Sequence, residues 1–140
     1  MNGPIPLSFC IVLYQDGRIE RQVDRPLEEY LSAIRTADIA WIDCSTKDDT
    51  REIEQIAQIA GFSKIPIPKL TTGFYSAYED NDTELGIMLP SATVNAEKLK
   101  VHPLFVLIRD NFILTVHSEE INRLLRFSRY APPVFQTDFC

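Results

Sequence analysis

No run of apolar residues in this 140-residue chain approaches the roughly 20 needed to cross a bilayer as a helix. Met1-Asn2-Gly3-Pro4 lacks the basic flank and apolar core of a signal peptide, so the chain as given is expected to be soluble. There is no GxGxxG, P-loop or GxSxG pattern, so the nucleotide and α/β-hydrolase readings lack their phosphate cradle or nucleophile elbow. Basic residues are few, 14 against 20 acidic for a net charge of -6, which argues against a nucleic-acid partner. Histidine is scarcer still. His102 and His117 are the two present, and neither stands in HExxH or HxxH spacing. The three cysteines, Cys10, Cys44 and Cys140, have no metal-ligand spacing and cannot all pair within one chain. Cys10 and Cys44 lie in apolar, strand-like runs, where a free thiol behaves as a small hydrophobe. A reducing, cytoplasmic setting fits that usage. A Cys–His nucleophile pair stays open at this level, because its partners need not be neighbours in sequence.

What is present is a globular composition, 45% hydrophobic and 24% charged, in a length suited to one domain with a substantial core. The chain is organised around residues 103–129, PLFVLIRDNFILTVHSEEINRLLRFSR. Residues 104–108 and 112–116 are short apolar runs around Asp110-Asn111, two residue types that tolerate the left-handed backbone of a tight hairpin turn. Ser118, followed by Glu119 and Glu120, has the chemistry of a helix start, and Ile121, Leu124 and Leu125 form one amphipathic stripe. The continuous apolar character of both runs predicts strands covered on both faces.

Taken in order, residues 7–14 (LSFCIVLY) read as a strand, and Gln15-Asp16-Gly17 as a hairpin turn. Residues 18–23 return as a polar edge strand. Asp24-Arg25-Pro26 opens a helix whose Leu27, Tyr30, Leu31 and Ile34 face the core. Residues 39–44 (IAWIDC) form a buried strand, with Trp41 a packed anchor. Residues 45–50 are turn-like. A second helix follows, with a capping pattern at Asp49 and Glu52, a stripe of Ile53, Ile56, Ala57 and Ala60, and Gly61 as terminator. Ile65-Pro66-Ile67-Pro68 reads as an extended connection rather than helix. Residues 73–79 and 84–89 bracket an acidic turn, a second hairpin with Gly86 as a bulge. Residues 90–102 show no settled period and are expected to be a loop. Ala131-Pro132-Pro133 stops the third helix, and residues 131–140 are expected to be a poorly ordered tail. The order β-β-α-β-α-β-β-β-β-α predicts a mixed, largely antiparallel sheet flanked by helices, a layered α/β/α domain.

Three acidic features bear on function. Glu79, Asp80, Asp82 and Glu84 crowd one turn, where closely spaced carboxylates suit a hard divalent cation, although turns favour such residues for backbone reasons alone. They are the metal-ligand candidates. Asp43 lies within a strand, where burial without a partner would be costly, so it should be hydrogen-bonded or partly exposed. Asp48 and Asp49 are explained by helix capping.

Three stretches, in this order, resemble the soluble domain of CorA-type magnesium transporters. They are Ala40-Trp41-Ile42-Asp43, then Ile59-Ala60-Gly61-Phe62 before a proline-containing step, then residues 106–120 with Thr115-Val116-His117. The resemblance spans residues 39–130. It implies a cytoplasmic regulatory domain, at the inner face of the cell membrane in the full-length protein, that senses ions and biases a gate rather than conducting. It also implies a homopentamer, Mg2+ or another divalent cation as the ion, no firmly bound cofactor, no catalysis, and membrane contact through a stalk and transmembrane helices absent from residues 1–140. The family's Leu-Glu-Asp step is missing from IPIPKLTTG, so no regulatory metal ligand is carried across. The alternative is a stand-alone binding or metal-sensing module of the same fold.

Overall fold

A computed structural model describes residues 7–47, 50–67, 77–80 and 82–118. Seven strands form one sheet in the order β2-β1-β3-β7-β6-β5-β4. Strands β1 (Ser8–Leu13) and β2 (Ile19–Val23) are joined through a loop in which Gly17 takes φ +86°, and the carboxylate of Asp16 accepts the Arg18 amide at 2.9 Å. The hairpin signal in Asp16-Gly17 is therefore met. Glu20, Arg21 and Gln22 of β2 are exposed at the sheet edge, as their polarity predicts.

Helix α1 (Leu27–Ile34) starts after Pro26 with Glu28 and Glu29 in its first turn, and buries Tyr30 completely. Strand β3 (Ile39–Thr46) runs two residues beyond the expected end. Helix α2 (Thr50–Ile59) lays Ile53 and Ala57 into the core, with Ala60 just beyond its end. It then stops in a Schellman arrangement. Gly61 takes φ +89° and bonds to the Gln58 carbonyl at 3.0 Å, and Phe62 bonds to Ala57 at 2.9 Å. The N-cap candidates Asp48 and Asp49 lie outside the described residues.

Three expectations need correction. Ile67 has helical backbone, whereas its proline-rich surroundings suggested extended chain; a proline is tolerated in an opening turn because its missing donor is not needed there. Strands β4 (Ala77–Asp80) and β5 (Leu85–Asn95) pair without interruption, Glu79 opposite Gly86 and Asp80 opposite Leu85, so Gly86 is no bulge. Residues 90–102 are strand rather than loop: β5 pairs with β6 (Lys98–Arg109) from Leu85–Ile108 out to Asn95–Lys98. Its two-residue turn places Ala96 and Glu97 at φ +51° and +65°, positions where glycine or asparagine would have announced a hairpin. Pro90 and Pro103 face each other in this ribbon, beyond the described pairings with β4 and β7.

Strand β7 (Phe112–Ser118) returns antiparallel to β6 around Asp110 at φ +52°, as the Asp-Asn turn predicts. It also lies parallel to β3, from Ala40–Phe112 to Thr46–Ser118. Among the described strands this is the single parallel pairing, and it joins two antiparallel halves. The fold is thus α/β with a mixed, largely antiparallel sheet. Both described helices pack on one face, over Cys10, Val12, Ala40, Ile42, Cys44, Leu114 and Val116. The opposite face carries Phe9, Ile11, Ile19 and Trp41. The expected third helix and the 131–140 tail lie outside the described residues.

Candidate functional site

Strand alternation decides what the β3–β7 seam presents. In β3, Ala40, Ile42 and Cys44 point to the helices, so Trp41 and Asp43 point the other way. The parallel register sets Thr115 beside Asp43 and His117 beside Ser45. The outcome is a buried polar chain on the face that also carries Phe9, Ile11 and Ile19. Trp41 Nε1 donates to Thr115 Oγ1 at 2.9 Å, and Thr115 donates to Asp43 Oδ1 at 2.6 Å. His117 Nε2 donates to Asp43 Oδ2 at 2.7 Å. At the far side His117 Nδ1 lies 2.7 Å from the Ser118 carbonyl, an acceptor that requires a donor. Asp43 and His117 are both fully buried.

This geometry sets the charge state. With a carboxylate on one ring nitrogen and a carbonyl on the other, both nitrogens must carry protons, which makes the ring an imidazolium. Desolvation acts to lower the His117 pKa, but the hydrogen bond and charge of Asp43, with the Ser118 carbonyl, outweigh it and hold the pKa above its ordinary value. The expectation that Asp43 would be hydrogen-bonded is met, with two donors at one carboxylate. Chemically the arrangement is a buried ion pair in a strut, with its carboxylate and both ring nitrogens engaged by the protein itself.

The thiols lie elsewhere. Cys10 and Cys44 face the helices, across the sheet from His117, and burial pushes both up to about 12, with the Asp43 charge adding to the effect on Cys44. They are therefore poor nucleophiles and do not pair with His117. Cys140 lies outside the described residues.

The four acidic candidates are dispersed in role. Glu84 is buried, and its carboxylate accepts the backbone amides of Lys64 at 3.0 Å and Ser63 at 3.4 Å. Lys64 Nζ meanwhile donates to Thr83 Oγ1 at 3.1 Å. Asp80 is exposed and caps the Asp82 amide at 3.0 Å, with Asp82 at φ +57°. Of Glu79, the described structure gives only the backbone pairing. Among the described residues no group of three or more His, Cys, Asp or Glu side chains gathers as a metal site.

A second long-range contact secures the helix layer. The Arg109 guanidinium donates to the carbonyls of Ala60, at 3.2 Å, and Gly61, and lies 5.3 Å from the centre of the Phe62 ring. A cation thus sits at the negative end of the α2 dipole. Surface cavities of about 370 and 420 Å³ flank this region, one including Arg35 and Arg109, the other Glu54 and Phe62. Neither is lined by Asp43 or His117.

Sequence reasoning placed Asp43 but missed its partners. The signal was available: Trp41/Asp43 and Thr115/His117 are polar-tipped pairs spaced by two within apolar strands, so each pair shares one face.

A family profile described as CorA-like Mg2+ transporter protein matches residues 36–134. Among solved structures, the fold is similar to that of the complete CorA magnesium transporter from Methanocaldococcus jannaschii, with a TM-score of 0.60 at 16% identity. That comparison covers 94% of this chain and 38% of the other. It is also similar to the soluble domain of CorA from the same organism, with a TM-score of 0.53 at 18% identity over 94% of this chain and 48% of that one. The chain therefore spans less than half the length of either. No curated protein matches it. Among the described residues no helix is long and apolar enough to cross a membrane.

Proposed function

This chain belongs to the CorA-like Mg2+ transporter family, and on that premise we propose that it serves as a soluble regulatory domain at the cytoplasmic face of a divalent-cation transporter. It senses Mg2+ or a related ion and biases the gate, without conducting and without catalysing a reaction. The observation that carries this reading is the span of the family match, residues 36–134, which contains β3, the parallel seam, α2 and the three hairpins from β4 to β7. The likeness to a solved soluble domain over 94% of this chain supports the division of labour.

In this reading the domain acts as a stiff body. The seam strut and the Arg109 clasp tie distant segments together, so an ion bound between copies shifts whole domains rather than loops. Self-association, as a pentamer in the complete transporter, is part of the proposal. Bridging ions would neutralise facing carboxylates and so favour one assembly over another. The chain's net charge of -6 supplies the repulsion that a divalent cation relieves.

Titration of the chain with MgCl2, at ionic strength held constant with KCl, tests it. Sedimentation velocity should show saturable, Mg2+-dependent association that KCl does not reproduce. An oligomeric state and amide-exchange pattern unchanged through millimolar Mg2+ would overturn the sensing role, while leaving family membership intact.

A further inference from the structure

We propose that Asp43 and His117 form a proton-dependent latch on the β3–β7 seam: the imidazolium holds the ends of the two strands together, and loss of its proton frees them. The seam is the place where such a latch has an effect. It is the one parallel junction among the described strands, and it joins β2-β1-β3 to β7-β6-β5-β4.

The seam's two ends are pinned differently. At the start, the Asn111 side-chain amide donates to the carbonyls of Ala37 and Asp38, each at 2.8 Å, and the Ala40 amide donates to the Asn111 carbonyl at 3.0 Å. None of those groups titrates. Toward the far end, where Thr46 pairs with Ser118, Asp43 is held across the seam by both Thr115 and His117, and of these two contacts the one to His117 is the one that can titrate. A change in protonation therefore acts on one end alone. That end leads from β3 into α2, which begins at Thr50.

A neutral ring has one N–H, and both of its nitrogens face acceptors at 2.7 Å. Deprotonation must leave a lone pair against either the Asp43 carboxylate or the Ser118 carbonyl, and an unsatisfied buried acceptor is costly. Among the described residues, the buried His102 lies on the same face of β6 as Leu104, two positions away. Leu104 of β6 and Ser45 of β3 stand opposite His117 in register, and Phe9 of β1 stands opposite Asp43. Thr115 is a neutral hydroxyl, and among the described residues Asp43 supplies the charge that acts on the ring.

The native pKa of His117 lies above the unfolded value of about 6.5. The latch's contribution is accordingly complete below that unfolded value and is lost as pH rises through the higher native one. This places the switch above the ordinary histidine range.

Native-state amide exchange on the whole chain, with ¹⁵N spectra of the imidazole, tests the latch. In wild type both His117 nitrogens should be protonated at about pH 6, below the unfolded value. After correction for intrinsic exchange, opening at residues 44–46 and 116–118 should rise by up to about tenfold per pH unit above about 6.5. Opening at Ala40 and Phe112 should not follow. In His117→Gln the rise should vanish. Should that variant not fold, the wild-type contrast between the two ends decides the matter. A His117 ring with a single N–H at about pH 6, or the same pH dependence at both ends of the seam, would overturn the proposal.

Discussion

Asp43 and His117 stand 74 residues apart in sequence and 2.7 Å apart in the fold, with neither side chain exposed to solvent. Replacing Asp43 by Asn should therefore remove the counter-ion while leaving the imidazole buried. Breaking such a pair costs about 3–5 kcal/mol, because the surviving charge keeps its desolvation penalty. The double variant Asp43→Asn/His117→Gln should lose less than the sum of the two single losses, since the residues share one interaction. Urea unfolding of the four proteins checks both statements.

Gly61→Ala should destabilise for two separable reasons. Its φ of +89° disfavours any Cβ by about 1–2 kcal/mol, and the added methyl would meet the Arg109 guanidinium. In an Arg109→Ala background the steric part disappears and the backbone part stays. A smaller Gly61→Ala penalty there, measured by chemical denaturation, is the expected outcome.

Glu84→Gln keeps one acceptor facing the amides of Ser63 and Lys64 but removes the charge that strengthens those bonds. A loss of about 1–2 kcal/mol is expected, as for a hydrogen bond to an ionised group. Amide exchange should accelerate at Ser63 and Lys64 in particular, since those are the donors the carboxylate holds.

Ala96→Asn/Glu97→Gly should stabilise the chain. Both positions have positive φ in a two-residue hairpin, the geometry that Asn-Gly adopts without strain. A gain of about 1 kcal/mol, seen as a rise of several degrees in Tm, is expected. An unchanged or lower Tm would count against the turn geometry.

Local chemistry alone determined much of this protein. The apolar runs on either side of Asp110-Asn111 became β6 and β7, and the stripes at Leu27, Tyr30 and Leu31 and at Ile53 and Ala57 became the core faces of α1 and α2. The polar residues of β2 mark an edge, and Gly61 ends a helix. These features depend on neighbours within a few positions, which is where period and turn preference act. The β5–β6 ribbon was illegible for a local reason too, since Ala96-Glu97 lacks the residues that normally mark its turn.

Tertiary structure decided the rest. No local pattern says that β7 will insert beside β3, or that the parallel register will carry His117 to Asp43 and Thr115 to the same carboxylate. Glu84 reads as a member of an acidic turn until the fold brings the amides of Ser63 and Lys64 against it. In each case the partner lies about 20 residues or more away, and pairing is settled by which arrangement buries both sheet faces while satisfying every polar group left inside. That condition belongs to the whole chain at once.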